Sequence, residues 1–203
     1  MKKKQLELLL QKIPPPINPK PHLEQYMTPA TIASDIIYLA HQFNDITDRT
    51  VLDLGCGTGI FAFGAAIVGA KKIIGIDIDK DVISIAKKHA TENKYHIDFF
   101  VQNIENVNIT CNTVIMNPPF GAQKANKKAD RKFIEKAAEL SDVFYSLHLS
   151  ETIPFIKKLL SALNAEITFH KEYSFPIKWM HTFHKKEVKK YHVSLIRGLK
   201  TSS

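Results

Sequence analysis

Cysteine is nearly missing from this 203-residue sequence, which carries only Cys56 and Cys111. The two are far apart and in no metal-ligand spacing, which excludes a disulfide framework and a zinc site and leaves no metal expected. Long apolar runs are missing too, because charged or polar residues interrupt each one well before the roughly 20 residues of a membrane span. Met1–Lys4 runs into the short amphipathic stretch Leu6–Leu10 without the small-residue cleavage site of a secretory leader. A cytoplasmic protein with no membrane partner is therefore expected. Acidic residues are outnumbered, 20 Asp and Glu against 28 Lys and Arg, for a formal net charge of +8. That balance suits a polyanionic partner, since clustered cations neutralise phosphates and release counterions. Hydrophobic residues make up 44% of the chain, enough for one well-buried α/β core but little for a second domain.

Five prolines, Pro14, Pro15, Pro16, Pro19 and Pro21, fall within Ile13–Pro21, removing backbone donors and favouring an extended, semi-rigid connector. From Thr28, with Pro29 in the first turn, Ile32, Ile36, Ile37, Leu39 and Ala40 form a helical stripe. Beyond it, apolar runs and helical patterns alternate: Thr50–Leu54, Gly59–Val68, Lys72–Asp77, Asp81–Glu92, Ile97–Gln102 and Thr113–Asn117. This is the βαβα rhythm of a parallel sheet. A helix near Arg131–Leu140, a strand at Val143–Leu147, a helix near Thr152–Leu163 and strands around Ala165–Lys171 and His192–Arg197 complete the chain. About 20 residues with no convincing helix join the last two strands, which makes them antiparallel neighbours and marks Glu172–Tyr191 as a long recognition loop.

Glycine is scarce, eight residues in all, yet Gly55, Gly57 and Gly59 crowd into one turn between an apolar strand and an apolar helix. Glycine there allows positive φ and lets a ligand approach the backbone. The next strand ends in Asp77, where a carboxylate can accept both hydrogen bonds of a ribose diol. A dinucleotide fingerprint is excluded because Ile60 stands where its third glycine belongs, and the triphosphate-loop pattern is absent. The spacing D-x-G-x-G-x-G from Asp53, with the downstream acid, resembles class I methyltransferases. That resemblance implies S-adenosylmethionine as cofactor, with Asp53, Gly55 and Gly57 at its methionine end, Asp77 on the ribose and Ile78 against its adenine. Asn103 stands where many such enzymes carry an Asp that accepts from the adenine amine.

The tetrapeptide Asn117-Pro118-Pro119-Phe120 follows the fourth strand. An exocyclic amine on an aromatic ring is a weak nucleophile, because its lone pair is delocalised into the ring. Accepting hydrogen bonds from both of its protons relocalises that pair, and the Asn117 oxygen and Pro118 carbonyl are suited to do so. Pro119 stiffens the loop, and Phe120 would stack on a flipped base. The same pattern also fits the side-chain amide of glutamine. His148 has no cysteine or acidic cluster around it and reads as a buried histidine.

Leu23–Tyr26, Asp53–Gly59, Asp77 with Asp79, Asn117–Gly121, Tyr145–His148 and Phe183–Lys186 together resemble the methyltransferase-like family that modifies one adenine of small-subunit ribosomal RNA. The Lys- and Ile-rich composition is similar to that of an archaeal member. The resemblance implies an α/β fold of the Rossmann-like class I methyltransferase type, a seven-stranded mixed sheet with helices on both faces. Residues 1–27 would form an N-terminal arm with the Pro-rich segment, and 28–203 the S-adenosylmethionine-dependent domain. It adds Gln25, Tyr26 and Thr28, closing over the methionine carboxylate, and Asn117 to the cofactor residues. It also implies RNA as partner; eukaryotic relatives act with a small zinc-binding activator subunit, and whether this chain needs one is open. Two basic groups, Lys124, Lys127, Lys128 and Arg131, then His184, Lys185, Lys186 and Lys189 with aromatic neighbours, suit looped RNA. The alternatives are a protein glutamine N5-methyltransferase, disfavoured by Phe120 where those enzymes carry Tyr, and a non-catalytic RNA-binding protein that retains the cofactor fold.

Overall fold

The structure, a computed structural model, describes residues 1–120, 129–178 and 188–201. Seven strands form one sheet: β1 (Thr50–Leu54), β2 (Lys72–Asp77), β3 (Asp98–Val101), β4 (Cys111–Met116), β5 (Ser141–Leu149), β6 (Ala165–Lys178) and β7 (Val188–Lys200). Their order is β3-β2-β1-β4-β5-β7-β6. The first five are parallel, and β7 runs antiparallel to both β5 and β6. From β1 the chain moves outward through β2 and β3, then returns to β4 on the other side. That reversal opens a crevice at the carboxyl ends of β1 and β4, where open α/β sheets bind ligands.

Among the described residues six α-helices cover the sheet: α1 (Lys3–Leu10), α2 (Ala30–Gln42), α3 (Ile60–Ile67), α4 (Lys80–Glu92), α5 (Ala129–Leu140) and α6 (Ile153–Ala162). Strand side chains alternate between two cores with period two. Val51, Ile73, Ile115, Tyr145 and Leu195 meet Leu6, Ile36, Phe63 and Ile83 from α1 to α4. Leu52, Ile74, Val114, Phe144 and Ile196 face Ile134 and Ala137 of α5 and Ile156 and Leu160 of α6. Burial on both faces is why the parallel strands read as nearly continuous apolar runs.

The segment 1–27 shares the first core, since Leu6, Leu10 and Ile13 are buried in it. Asp35 of α2 ties that segment to the far edge of the sheet, accepting from Lys3 Nζ at 2.8 Å, Lys171 Nζ at 2.5 Å and Tyr173 Oη at 2.7 Å. Burial works to raise this carboxyl, but the three donors outweigh it and hold the pKa down to about 2.

Two sequence readings change here. Pro29 caps α2, so the helix starts at Ala30 rather than Thr28. Of the loop expected over Glu172–Tyr191, residues 172–178 and 188–191 are hydrogen-bonded ladder, with Glu172 paired to Ser194 and Phe175 to Tyr191, and residues 179–187 lie outside the described residues. Pro176 disguised this strand. Because β6 is an edge, a residue without an N–H is tolerated there, whereas in a central strand it would break the ladder.

Sheet pairs at both sides of the sheet lay an aromatic ring over a glycine. Phe99 covers Gly75, and Phe144 covers Gly198, where an added Cβ would stand 2.1 Å from the ring. Gly198→Ala is expected to cost about 1–3 kcal/mol by overpacking, measured by urea unfolding. Phe144→Leu introduced into that variant should recover part of the loss; strict additivity of the two changes would disprove the contact.

Candidate active site

The glycine loop takes its shape from hydrogen bonds across the crevice. Gly55 N and Cys56 N both donate to the Ile76 carbonyl, at 2.8 and 2.9 Å, which ties the end of β1 to β2. Gly55, Gly57 and Gly59 have φ of +74°, +54° and +91°, a region that costs residues with a Cβ. A Cβ at Gly59 would strike the Phe99 ring, whereas one at Gly57 would meet nothing within 4 Å. Gly57 is therefore the point at which the backbone lies open to a ligand.

Asp77 braces the same loop. Its Oδ2 accepts from Gly57 N at 2.8 Å and its Oδ1 from Asp79 N at 2.9 Å, which leaves each oxygen a second lone pair for a ribose hydroxyl. Burial raises its pKa, partly offset by those backbone donors. Asp53 lies deeper. Its Oδ2 accepts from Ala62 N at 2.9 Å and staples α3 to β1, while its Oδ1 is buried without a partner. Burial pushes its pKa up to about 8.

A cavity of about 390 Å³ occupies the crevice, within the range of small-molecule sites. Of the cofactor residues named from the sequence, Gln25, Tyr26, Thr28, Gly55, Gly57, Asp77, Ile78, Asn103 and Asn117 line it, and Asp53 stands behind the wall. Ile78 is 55% exposed, an apolar platform where an adenine ring would pack. Asn103 spends one oxygen lone pair capping a short turn, accepting from Glu105 N at 3.0 Å. An open glycine, a ribose-type carboxylate, an exposed apolar platform and an unsatisfied acceptor together fit S-adenosylmethionine.

The N-terminal arm roofs the cavity. Lys20 Nζ donates to Asp79 Oδ1 at 2.5 Å and Asp81 Oδ2 at 3.0 Å, while Gln25 Nε2 donates to Asp79 Oδ2 at 2.7 Å. Burial opposes ionisation of Asp79, but the Lys20 and Gln25 donors prevail and lower its pKa. The Gln25 side chain thus anchors the arm, with its oxygen accepting from Lys20 N at 2.8 Å. Tyr26 reaches the next loop.

There the Tyr26 hydroxyl accepts from Phe120 N at 3.4 Å, and its ring lies 5.4 Å from the Phe120 ring. Phe175 of β6, fully buried, meets Phe120 edge-on at 5.9 Å. Asn117 Nδ2 donates to Thr28 Oγ1 at 3.0 Å, and Asn117 Oδ1 is buried with no protein partner. Asn117 and Pro119 line the cavity, Pro118 is buried and Phe120 is half-buried.

Sequence reading missed Phe133 and the Lys132–Glu105 ion pair, which line the other side of the cavity at an Nζ to Oε1 distance of 2.5 Å. Phe133 packs so closely on Gly55 that a Cβ there would lie 2.8 Å from its ring. Its helical position after a basic run carried no sign of this. Arg131 is on the surface, paired with Glu135 at 2.7 Å. Lys124, Lys127, Lys128, His184, Lys185, Lys186 and the Lys189 side chain lie outside the described residues. His148 is buried against Ser146, 2.6 Å from Nε2 to Oγ, and burial pushes its pKa down to about 3, so it is neutral. Among the described residues no cluster is arranged to hold a metal, and no helix is long and apolar enough to cross a membrane.

The sheet order, the glycine loop and its acid define a class I methyltransferase that uses S-adenosylmethionine. Residues 32–142 match the family Methyltransferase small domain. The chain is 40% identical to the uncharacterized protein MJ0284 of Methanocaldococcus jannaschii, over 97% of this chain and 94% of that one. It is 34% identical to the rRNA N(6)-adenosine-methyltransferase METTL5 of Danio rerio, over 97% and 98%. The crystal structure of PH1948 from Pyrococcus horikoshii superposes with a TM-score of 0.92 at 37% identity, covering 100% of this chain and 99% of that one. The chain belongs to this methyltransferase family, the one that includes METTL5.

Two outcomes follow from the cofactor side. Asp77→Ala is expected to weaken S-adenosylmethionine binding about 10- to 100-fold, the worth of hydrogen bonds to a charged group; unchanged affinity in calorimetry would overturn the ribose assignment. Asp53 titrates near 8 when folded and near about 4 when unfolded. The folded state therefore keeps a proton the unfolded chain gives up, so this group makes stability fall as pH rises between those values. Asp53→Asn, melted from pH 5 to 8, should show a flatter slope than the parent protein, and identical slopes would rule out a protonated Asp53.

Proposed function

We propose that this chain methylates the exocyclic N6 amine of an adenine in small-subunit ribosomal RNA, acting in the cytoplasm. The observation that carries this reading is the Asn117 carbonyl oxygen, buried and unpaired at the wall of a cavity that Tyr26 and Phe133 also line. An unsatisfied buried acceptor costs about 1–3 kcal/mol, and a substrate amine relieves that cost by donating to it.

When bound, S-adenosylmethionine would supply a sulfonium methyl as electrophile for the N6 lone pair, with the electrons of its C–S bond left on sulfur. The chain's part is orientation and electronics. Asn117 Oδ1 and the Pro118 carbonyl accept the two N6 protons and draw the lone pair out of the ring, and Phe120 holds the base by stacking, worth about 1–3 kcal/mol. One N6 proton is then lost to solvent. Holding the partners in register supplies much of the rate, about 7–11 kcal/mol in favourable cases. The basic groups around Lys124–Arg131 and His184–Lys189 would hold the RNA backbone.

A small zinc-binding activator is part of the proposal. Strand β3 is an open edge of the sheet, with Phe100 46% and Val101 52% exposed, and such an edge invites pairing.

The reading is tested by transferring labelled methyl to unmodified small ribosomal subunits. The parent protein should yield N6-methyladenine in RNA, and Asn117→Ala should lower turnover at least about 100-fold, in line with loss of an electrostatic positioning group. Label on glutamine in protein, or none anywhere with the activator present, would refute it. Turnover by the chain alone would remove the need for an activator.

A further inference from the structure

The two ends of the Asn117 amide meet different surroundings. Nδ2 is satisfied by Thr28 Oγ1 at 3.0 Å, across 89 residues of sequence. Oδ1 has no partner. A primary amide has nearly the same shape either way round, and a threonine hydroxyl can meet either end, accepting from Nδ2 or donating to Oδ1; only the first arrangement leaves an acceptor for the substrate. Turned over, it would present N–H groups to an amine, donor against donor, and the N6 lone pair would stay in the ring.

We infer that Thr28 is a positioning residue for methyl transfer: by accepting from Nδ2, its hydroxyl anchors the Asn117 amide in the arrangement that leaves Oδ1 free to accept from the substrate amine. The inference rests on the reading of Asn117 to Phe120 as the amine pocket and adds the residue that orients it. It gives Thr28 a task other than contact with the cofactor, the role implied by resemblance.

Thr28 is built for a fixed placement. It is 3% exposed. It precedes Pro29, which restricts its backbone to extended conformations, and Pro29 is in turn the cap of α2. Threonine's branched Cβ also limits χ1, so the oxygen has little room to wander. On its other side, Tyr26 binds Phe120 N and Gln25 binds Asp79. The same short segment therefore fixes the stacking ring's backbone and the acceptor amide, and it is itself tethered beside the ribose-binding acid. Orientation of this kind matters for rate, because a misplacement of about 1 Å can cost about 100-fold.

The experiment compares Thr28→Val, which keeps the shape and loses the acceptor, with Thr28→Ser, which keeps the acceptor. Thr28→Ala serves in place of valine if that variant does not fold. With saturating cofactor, Thr28→Val should lower kcat on ribosomal subunits about 10- to 100-fold, leave the Kd for S-adenosylmethionine within about threefold, and Thr28→Ser should restore most of kcat. In the cofactor complex without RNA, the Asn117 side-chain amide protons, followed by nitrogen-edited NMR, should exchange with water faster in Thr28→Val than in the parent or Thr28→Ser. Weaker cofactor binding with unchanged kcat would overturn the inference and make Thr28 a cofactor ligand. Unchanged amide exchange would overturn it as well. Should the parent protein not methylate adenine, the function proposed above falls, and amide exchange still decides separately whether Thr28 holds Asn117.

Discussion

Asp79 accepts hydrogen bonds from Lys20 Nζ, Gln25 Nε2 and the Asp81 amide, and through the first two the N-terminal arm is held across the crevice. The third caps α4, so one carboxylate fixes a helix start and a roof together. Its neighbour Asp77 braces Gly57. From this anchor the arm delivers Tyr26 to Phe120 and Thr28 to Asn117. The Asn117 loop therefore takes two of its contacts from a segment that this carboxylate holds in place.

The sheet makes that clasp possible by its order. Reversal between β1 and β4 brings the glycine loop and the Asn117 loop to the same end of neighbouring strands, and β1 pairs with both β2 and β4. Two apolar cores, one on each face, hold the strands rigid. Parts that carry chemistry therefore rest on a frame that does not move with them, as precise sites require.

Stability is given up where the chemistry lies. Asp53 Oδ1 and Asn117 Oδ1 are both buried and unsatisfied, against the strong tendency of buried polar atoms to find partners. Such groups are tolerated where the surrounding structure holds them in place. Asp53 pulls α3 onto β1 from beneath the loop, and Asn117, at the cavity wall, keeps an acceptor that no protein group fills.

The sequence by itself determined the strand and helix alternation, the glycine turn, the acid that ends the second strand and the tetrapeptide after the fourth, because each rests on residues within a few positions of one another. Apolar period and glycine spacing are local properties, and local sterics enforce them. Legibility failed where neighbours in space are distant in the chain. Pro176 concealed a strand that only its edge position allows, and Phe133 reaches Gly55 from a helix 78 residues on. Nor did any local pattern signal that Gln25 tethers the arm to Asp79 while lining the cavity, or that the arm sends Leu6, Leu10 and Ile13 into the core. Tertiary structure alone decided what holds the Asn117 amide, since Thr28 lies 89 residues away in the chain and only packing brings its hydroxyl to Nδ2.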